Sequence, residues 1–183
     1  MATVNPDQRQ DGTSGAASSS PTAPPAGQYE IDASRSAVTF RTRHLFGLAP
    51  VRGSFAIRSG SIEVAAPVTD SRVYVEIEAA SFHTGNPQRD GAVRSPRLLD
   101  AGQYPVLVFT SGRADGRALP GTLAVRDVTV PVSLLVEQIV ISPDSFTARG
   151  TVRIDRAEFG VTAYRGLAGR YLDMTVEVRA VPK

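Results

Sequence analysis

FTARGTVRID, residues 146–155, alternates at every step. Phe146, Ala148, Gly150, Val152 and Ile154 are apolar or small, while Thr147, Arg149, Thr151 and Arg153 between them are polar. Successive side chains of an extended chain point to opposite sides, so this is a strand with one face toward a core and one toward water. A wet face calls for antiparallel neighbours, because parallel sheets are covered on both sides.

The same period runs outward in both directions. Upstream, Val38, Phe40, Thr42 and His44 alternate with Thr39, Arg41 and Arg43, and Val51, Gly53, Phe55 and Ile57 alternate with Arg52, Ser54, Ala56 and Arg58. Val73, Val75, Ile77 and Ala79 follow, then Leu107 and Phe109. Leu119, Gly121, Leu123 and Val125 come next, then Val130, Val132, Leu134 and Val136. Downstream, Leu172, Met174, Val176 and Val178 oppose Asp173, Thr175, Glu177 and Arg179. Turn sequences such as SGS, SGRADGR and SPDS separate these runs. About eight antiparallel strands result, and one sheet of that size must close or fold over to hide its apolar face. A sandwich and an up-and-down barrel both satisfy this. Small inward residues (Gly53, Ala79, Gly121, Ala148, Gly150) leave room inside, which favours an all-β, antiparallel, eight-stranded barrel, about the size that can hold one ligand.

The strand pattern is broken once, by residues 81–109, SFHTGNPQRDGAVRSPRLLDAGQYPVLVF. Its charges, Gly and Pro lie between two apolar runs, and residues 88–100 carry the chain's best helical signal, divided by Pro96 with Ser95 as a possible cap. The expectation is a short helical insert across one barrel end. Residues 1–27 are rich in Ser, Ala, Pro, Gly and Gln and carry no large apolar side chain beyond Met1 and Val4, so a disordered tail is expected ahead of a domain at 28–183.

Composition narrows the function classes. The 183 residues carry a net charge of +2 with no Lys/Arg block, and Lys183 is the only lysine, so nucleic-acid binding through a basic patch is not expected. There are no cysteines, hence no disulfide or thiolate chemistry. His44 and His83 lie far apart and give no metal-ligand spacing, so no metal and no cofactor are expected. No stretch is apolar enough for a spanning helix, and the start lacks a secretory pattern, which leads to an expectation of a cytoplasmic protein. There is no Gly-x-Ser-x-Gly elbow and no phosphate-cradling loop, so the expectation is not an enzyme. The inward faces either fill a core or line a tunnel; the alternation alone leaves both open. His44 is a buried hydrogen-bonded side chain or a ligand contact. Arg94, Arg126 and Arg156, at strand–loop junctions, either ion-pair with Asp90, Asp100, Asp127 or Asp155 or meet a polar ligand head. Edge strands and the outward Tyr74 make a homodimer plausible.

Five segments in order resemble one family. YEIDASRSAVTF (29–40), RHLFGLAPVRGSF (43–55), SFHTGNPQRDGAVRSP with LLD and YPVLVFTS (81–111), GTLAVRDVTVPVSLLV (121–136) and IDRAEFGV (154–161) are similar to the signatures of the YceI-like family. That resemblance covers residues 29 to about 180. It implies a lipocalin-like barrel that binds lipids of the polyisoprenoid type, or something quinone-like, without catalysis. It also implies lining roles for Phe40, Phe55, Val75, Ile77, Phe109, Leu123, Phe146 and Met174. Arg35, Ala92-Val93 and Leu98-Leu99 stand where the family usually has His, His-Leu and a paired Phe. The last two changes are apolar, so Val93 and Leu98 fit a lid that faces lipid, with Arg89, Asp90 and Arg94 tying it down. Burying one isoprene unit would contribute about 3–4 kcal/mol gross, before association costs. The alternatives are a cyclase or isomerase acting on such a lipid through His44, or a ligand-free interaction module.

Overall fold

The computed structural model describes residues 23–44 and 47–183. Nine strands follow in order: β1 (Gly27–Ile31), β2 (Ala37–His44), β3 (Ala49–Val64), β4 (Arg72–Glu78), β5 (Val106–Ser111), β6 (Ala118–Val125), β7 (Val128–Ser142), β8 (Ser145–Asp155) and β9 (Tyr171–Pro182). All pairings are antiparallel. β1 and β2 together make one stave, broken by the 3-10 turn Ala33–Arg35. β1 pairs with the last residues of β3 and β9, and β2 with Ala49–Ala56 of β3 and Asp173–Glu177 of β9. Nine segments thus fill eight positions, and the sheet closes through β3–β4 on one side and β8–β9 on the other. The expected eight-stranded antiparallel barrel is what forms.

Closure removes one premise of the dimer expectation. Every described strand is paired on both sides, so no edge is left to template a partner. Tyr74 is outward, and its hydroxyl donates to Glu76 Oε1 at 2.7 Å on the same strand. The tail expected over residues 1–27 lies mostly outside the described residues. Gly27 already belongs to β1, and Pro25 accepts a hydrogen bond from the Tyr29 hydroxyl at 2.8 Å.

The small inward residues act differently from expectation. Gly53 sits beneath the Phe40 ring and the His83 carbonyl, and Gly121 beneath the Phe109 ring and the Thr110 carbonyl; a Cβ at either position would collide with them. These glycines do not widen the lumen. They let neighbouring aromatic rings lie flat across the strand. Phe40, Phe55 and Phe82 then form a cluster with ring centroids 5.3–5.8 Å apart.

The insert contains helix α1 (Pro87–Arg94), a little earlier than the 88–100 expected. Asn86 caps it by accepting from the Arg89 amide at 3.0 Å, and Pro87 occupies the first turn, where its missing N–H costs nothing. Ser95 ends the helix rather than starting a second one, and residues 96–99 continue as turns. At this end of the barrel lie α1, the β2–β3 turn, the Arg126-Asp127 turn and the segment between β8 and β9. The opposite end is closed by apolar packing, with Phe146 edge-on to Tyr29 at 4.9 Å.

Candidate ligand cavity

Inward side chains are not packed evenly. Along β1–β4 most are fully buried: Val38, Phe40, Phe55, Ile57, Val75 and Ile77 are all at most 7% exposed, while Thr42, His44 and Val73 are half-buried. Along β7–β9, Val132, Leu134, Val152, Met174 and Val176 are only half-buried although they point the same way. Between the two halves runs a cavity of about 260 Å³. Its wall is apolar almost throughout. Thr42, His44, Arg89, Arg149 and Arg156 are the polar residues that border it, and among the described residues none of the lining is Asp, Glu, Ser or Tyr. The Arg149 guanidinium is engaged outside, with Glu137 at 3.3 Å and Glu177 at 3.1 Å.

The structure places most of the residues named as lining beside this cavity. Phe40, Phe55, Val75, Ile77, Phe109, Leu123 and Met174 border the cavity, as do Val93 and Leu98 from the insert. Phe146 does not: it belongs to the plug against Tyr29 at the far end, where the β7–β8 hairpin closes the barrel. Arg94 and Arg126 are also outside the wall, and neither forms the ion pair that was the alternative. Arg94 Nη2 donates to the Phe82 carbonyl at 2.5 Å. Arg126 Nη1 donates to the Leu98 carbonyl at 3.3 Å, and its guanidinium lies 5.8 Å from the Tyr104 ring centroid. Arg126 clamps the insert onto the β6–β7 turn, and Arg94 ties helix α1 to the segment that precedes it. Other wall residues escaped the strand pattern: Phe82, Leu99, Phe159, Val161, Ala168 and Gly169 sit outside the strands, where period two gives no signal. A bulky apolar side chain inside a polar loop was the available clue to the first four.

His44 and Arg156 do border the cavity, at the end that carries the insert, and Arg89 joins them there. Arg156 is half-buried and donates to four backbone carbonyls: Gly169 at 2.8 Å, Val161 at 2.6 Å, Ala163 at 2.9 Å and Ala168 at 3.2 Å. It shapes the loop that forms this rim, helped by Gly160, whose φ of 70° closes the preceding 3-10 turn. Burial lowers the His44 pKa from its ordinary 6.5, and the nearby Arg89 and Arg156 charges lower it further. His44 is therefore a neutral hydrogen-bonding group at neutral pH.

The insert hangs on Asp90, which is 3% exposed. Its carboxylate accepts from the Thr84 amide at 3.0 Å and the Thr84 hydroxyl at 2.5 Å, and His83 Nδ1 lies 3.4 Å away. Arg89 Nε in turn donates to the Thr84 hydroxyl oxygen at 2.7 Å. Burial by itself would raise the Asp90 pKa, but the Thr84 bonds and the His83 and Arg94 charges outweigh it and hold the group below its ordinary 3.8. His83 has an exposed side chain, yet its backbone exchanges two hydrogen bonds with Ser54 of β3 at 2.9 and 3.0 Å. Among the described residues no three His, Asp or Glu side chains converge as a metal site would require.

The barrel fold is shared with known proteins. The YceI-like domain is matched over residues 29–181. The chain belongs to the YceI-like family. Among its relatives, a UPF0312 protein of Vibrio vulnificus is 27% identical over 176 residues, covering 89% of this chain and 92% of the relative. A UPF0312 protein of Pseudomonas fluorescens is 28% identical over 174 residues, covering 85% and 87%. Two solved YceI-like barrels share the fold at lower identity. BcnA of Burkholderia cenocepacia superposes with a TM-score of 0.67 at 21% identity, over 82% of this chain and 99% of that one. A polyisoprenoid binding domain from Saccharophagus degradans, implicated in plant cell wall breakdown, gives 0.68 at 18% identity, over 85% and 98%.

Proposed function

We propose that this YceI-like barrel binds and carries a long-chain apolar lipid of the isoprenoid type in its lumen, and leaves it chemically unchanged. The observation that carries this reading is the wall: a cavity bordered mainly by Val, Leu, Ile, Phe and Met, with His44, Arg89 and Arg156 at the insert end. Such a wall offers affinity through area removed from water and offers an acyl or prenyl chain no polar partner along its length. The polar end suits the one polar group that a prenol or quinone-like lipid carries. His44 can donate to it or accept from it, and Arg89 can donate to it, while the tail lies inward. The polyisoprenoid-binding activity named for the Saccharophagus domain supports the same ligand class.

A cyclase or isomerase needs a proton donor and a base against the chain. His44 is held neutral, and no carboxylate among the described residues borders the lumen to work with it. The interaction-module reading fits poorly with a lumen of this size. Organic extraction of the purified protein, followed by mass spectrometry, is the test. The expectation is a prenyl lipid released intact, or taken up intact when a long-chain prenol is supplied. A protein that carries none and takes up none overturns the reading, and a rearranged product would favour the enzyme.

A further inference from the structure

We propose that the rim around the insert end of the cavity is a docking surface for an anionic lipid bilayer. The proposal rests on the lumen being a lipid site, because a carrier must load where its ligand resides. The rim itself supplies the argument. Leu48 is 83% exposed, Leu167 46%, Tyr171 49% and Tyr164 39%, and all four lie at this one end. Leu48 is on the β2–β3 turn; Tyr164 and Leu167 are on the loop between β8 and β9, and Tyr171 opens β9. The two segments are in contact. Gly169 lies against the backbone of Arg43, and the Thr42 hydroxyl donates to the Tyr171 carbonyl at 2.7 Å. Ala168 and Gly169 also border the cavity, which puts the exposed side chains beside its insert end.

None of these side chains belongs to the buried core. Tyr164 even holds a left-handed backbone (φ 57°), a conformation a bulky aromatic adopts only at a cost, with Gly166 at φ 80° completing the turn that pushes Leu167 outward. The charges beside them are mostly positive. Residues 43–48 and 153–173 contain Arg43, Arg153, Arg156, Arg165 and Arg170 against Asp155, Glu158 and Asp173, in a chain whose net charge is only +2; Asp155 pairs with Arg170 and Asp173 with Arg153, each at 2.7 Å. Arg170 and Arg153 also lie over the Tyr171 ring, at 5.2 and 6.0 Å from its centroid. Leucines at turn tips, tyrosines behind them and arginines around both match the layers of a membrane surface: acyl chains, interface and anionic head groups. A rim seated this way would let a lipid pass from bilayer to lumen without crossing water.

The test is co-sedimentation of the full chain with phosphatidylcholine vesicles, with and without phosphatidylglycerol, beside uptake of a prenol delivered from cyclodextrin. The wild type should bind the anionic vesicles, more weakly as salt rises, and bind pure phosphatidylcholine poorly. L48D and L167D should each lower vesicle partitioning about tenfold, and R165E should lower it with the anionic vesicles alone. Because these side chains are exposed, the melting temperature and the uptake from cyclodextrin should stay unchanged. A wild type that ignores anionic vesicles, or variants that bind them equally well, overturns the docking surface. Failed uptake from cyclodextrin would instead overturn the lumen reading, which separates the two.

Discussion

Arg156 holds four carbonyls of the segment between β8 and β9 with one guanidinium, a geometry that needs its planar fork of donors. Lysine cannot reproduce it. Arg156→Lys should cost about 1.5–3 kcal/mol in urea unfolding and loosen the loop in hydrogen exchange; unchanged stability and protection would contradict the bracing role. Asp90 is the second residue on which the insert depends. Its pKa is depressed in the folded state, so its contribution is present above about pH 3.8 and is lost as pH falls further through the folded-state value. Asp90→Asn should therefore lower stability at neutral pH and flatten the acid limb of the stability profile below pH 3.8. Equal acid slopes for both proteins would count against it. The sequence singled out Arg94, Arg126 and Arg156 as a group but could not separate their roles. All three answer to backbone carbonyls, and where a carbonyl points depends on loop conformation rather than on any side-chain pattern.

Among the elements, the strands were the most legible. A half-buried antiparallel strand must alternate, and β2, β3, β4, β6, β8 and β9 were all visible that way. Alternation failed where register shifts. The bulge between Val136 and Gln138 in β7 breaks the phase, leaving Ile139 and Val140 at the surface. β1 was not separated from β2, because a barrel stave broken by a 3-10 turn leaves only five residues of pattern. The insert was legible as a polar interruption with a helix, but its wall residue Phe82 precedes the helix and follows a 3-10 turn, outside either period. The insert's clamps lie off the cavity wall. Arg94→Ala should thus lower stability by about 1.5–3 kcal/mol while the folded protein keeps its full capacity for prenol at saturation. A variant of unchanged stability that loses uptake would instead give Arg94 a direct ligand role.

At the scale of the molecule, closure does two things at once. It pairs every described strand on both sides, and it encloses a lumen displaced toward β7–β9, because the Phe40, Phe55 and Phe82 cluster fills the β1–β4 side. That asymmetry was not legible in the sequence. Small inward residues suggested room, yet Gly53 and Gly121 are occupied by rings, and the room lies instead beside medium-sized Val, Leu and Met side chains. Whether a barrel interior is filled depends on how aromatic side chains fold across neighbouring strands, which alternation does not encode. The central claim is that this lumen is the lipid site. Val152 and Met174 are cross-strand partners that face it from β8 and β9, so Val152→Trp and Met174→Trp should each fill it without breaking a hydrogen bond. The decisive measurement is native mass spectrometry of a long-chain prenol titrated into the wild type and into both variants, each first shown to melt cooperatively. The account predicts one prenol bound per wild-type barrel and none in either filled variant. Equal binding by a filled, folded barrel would contradict it.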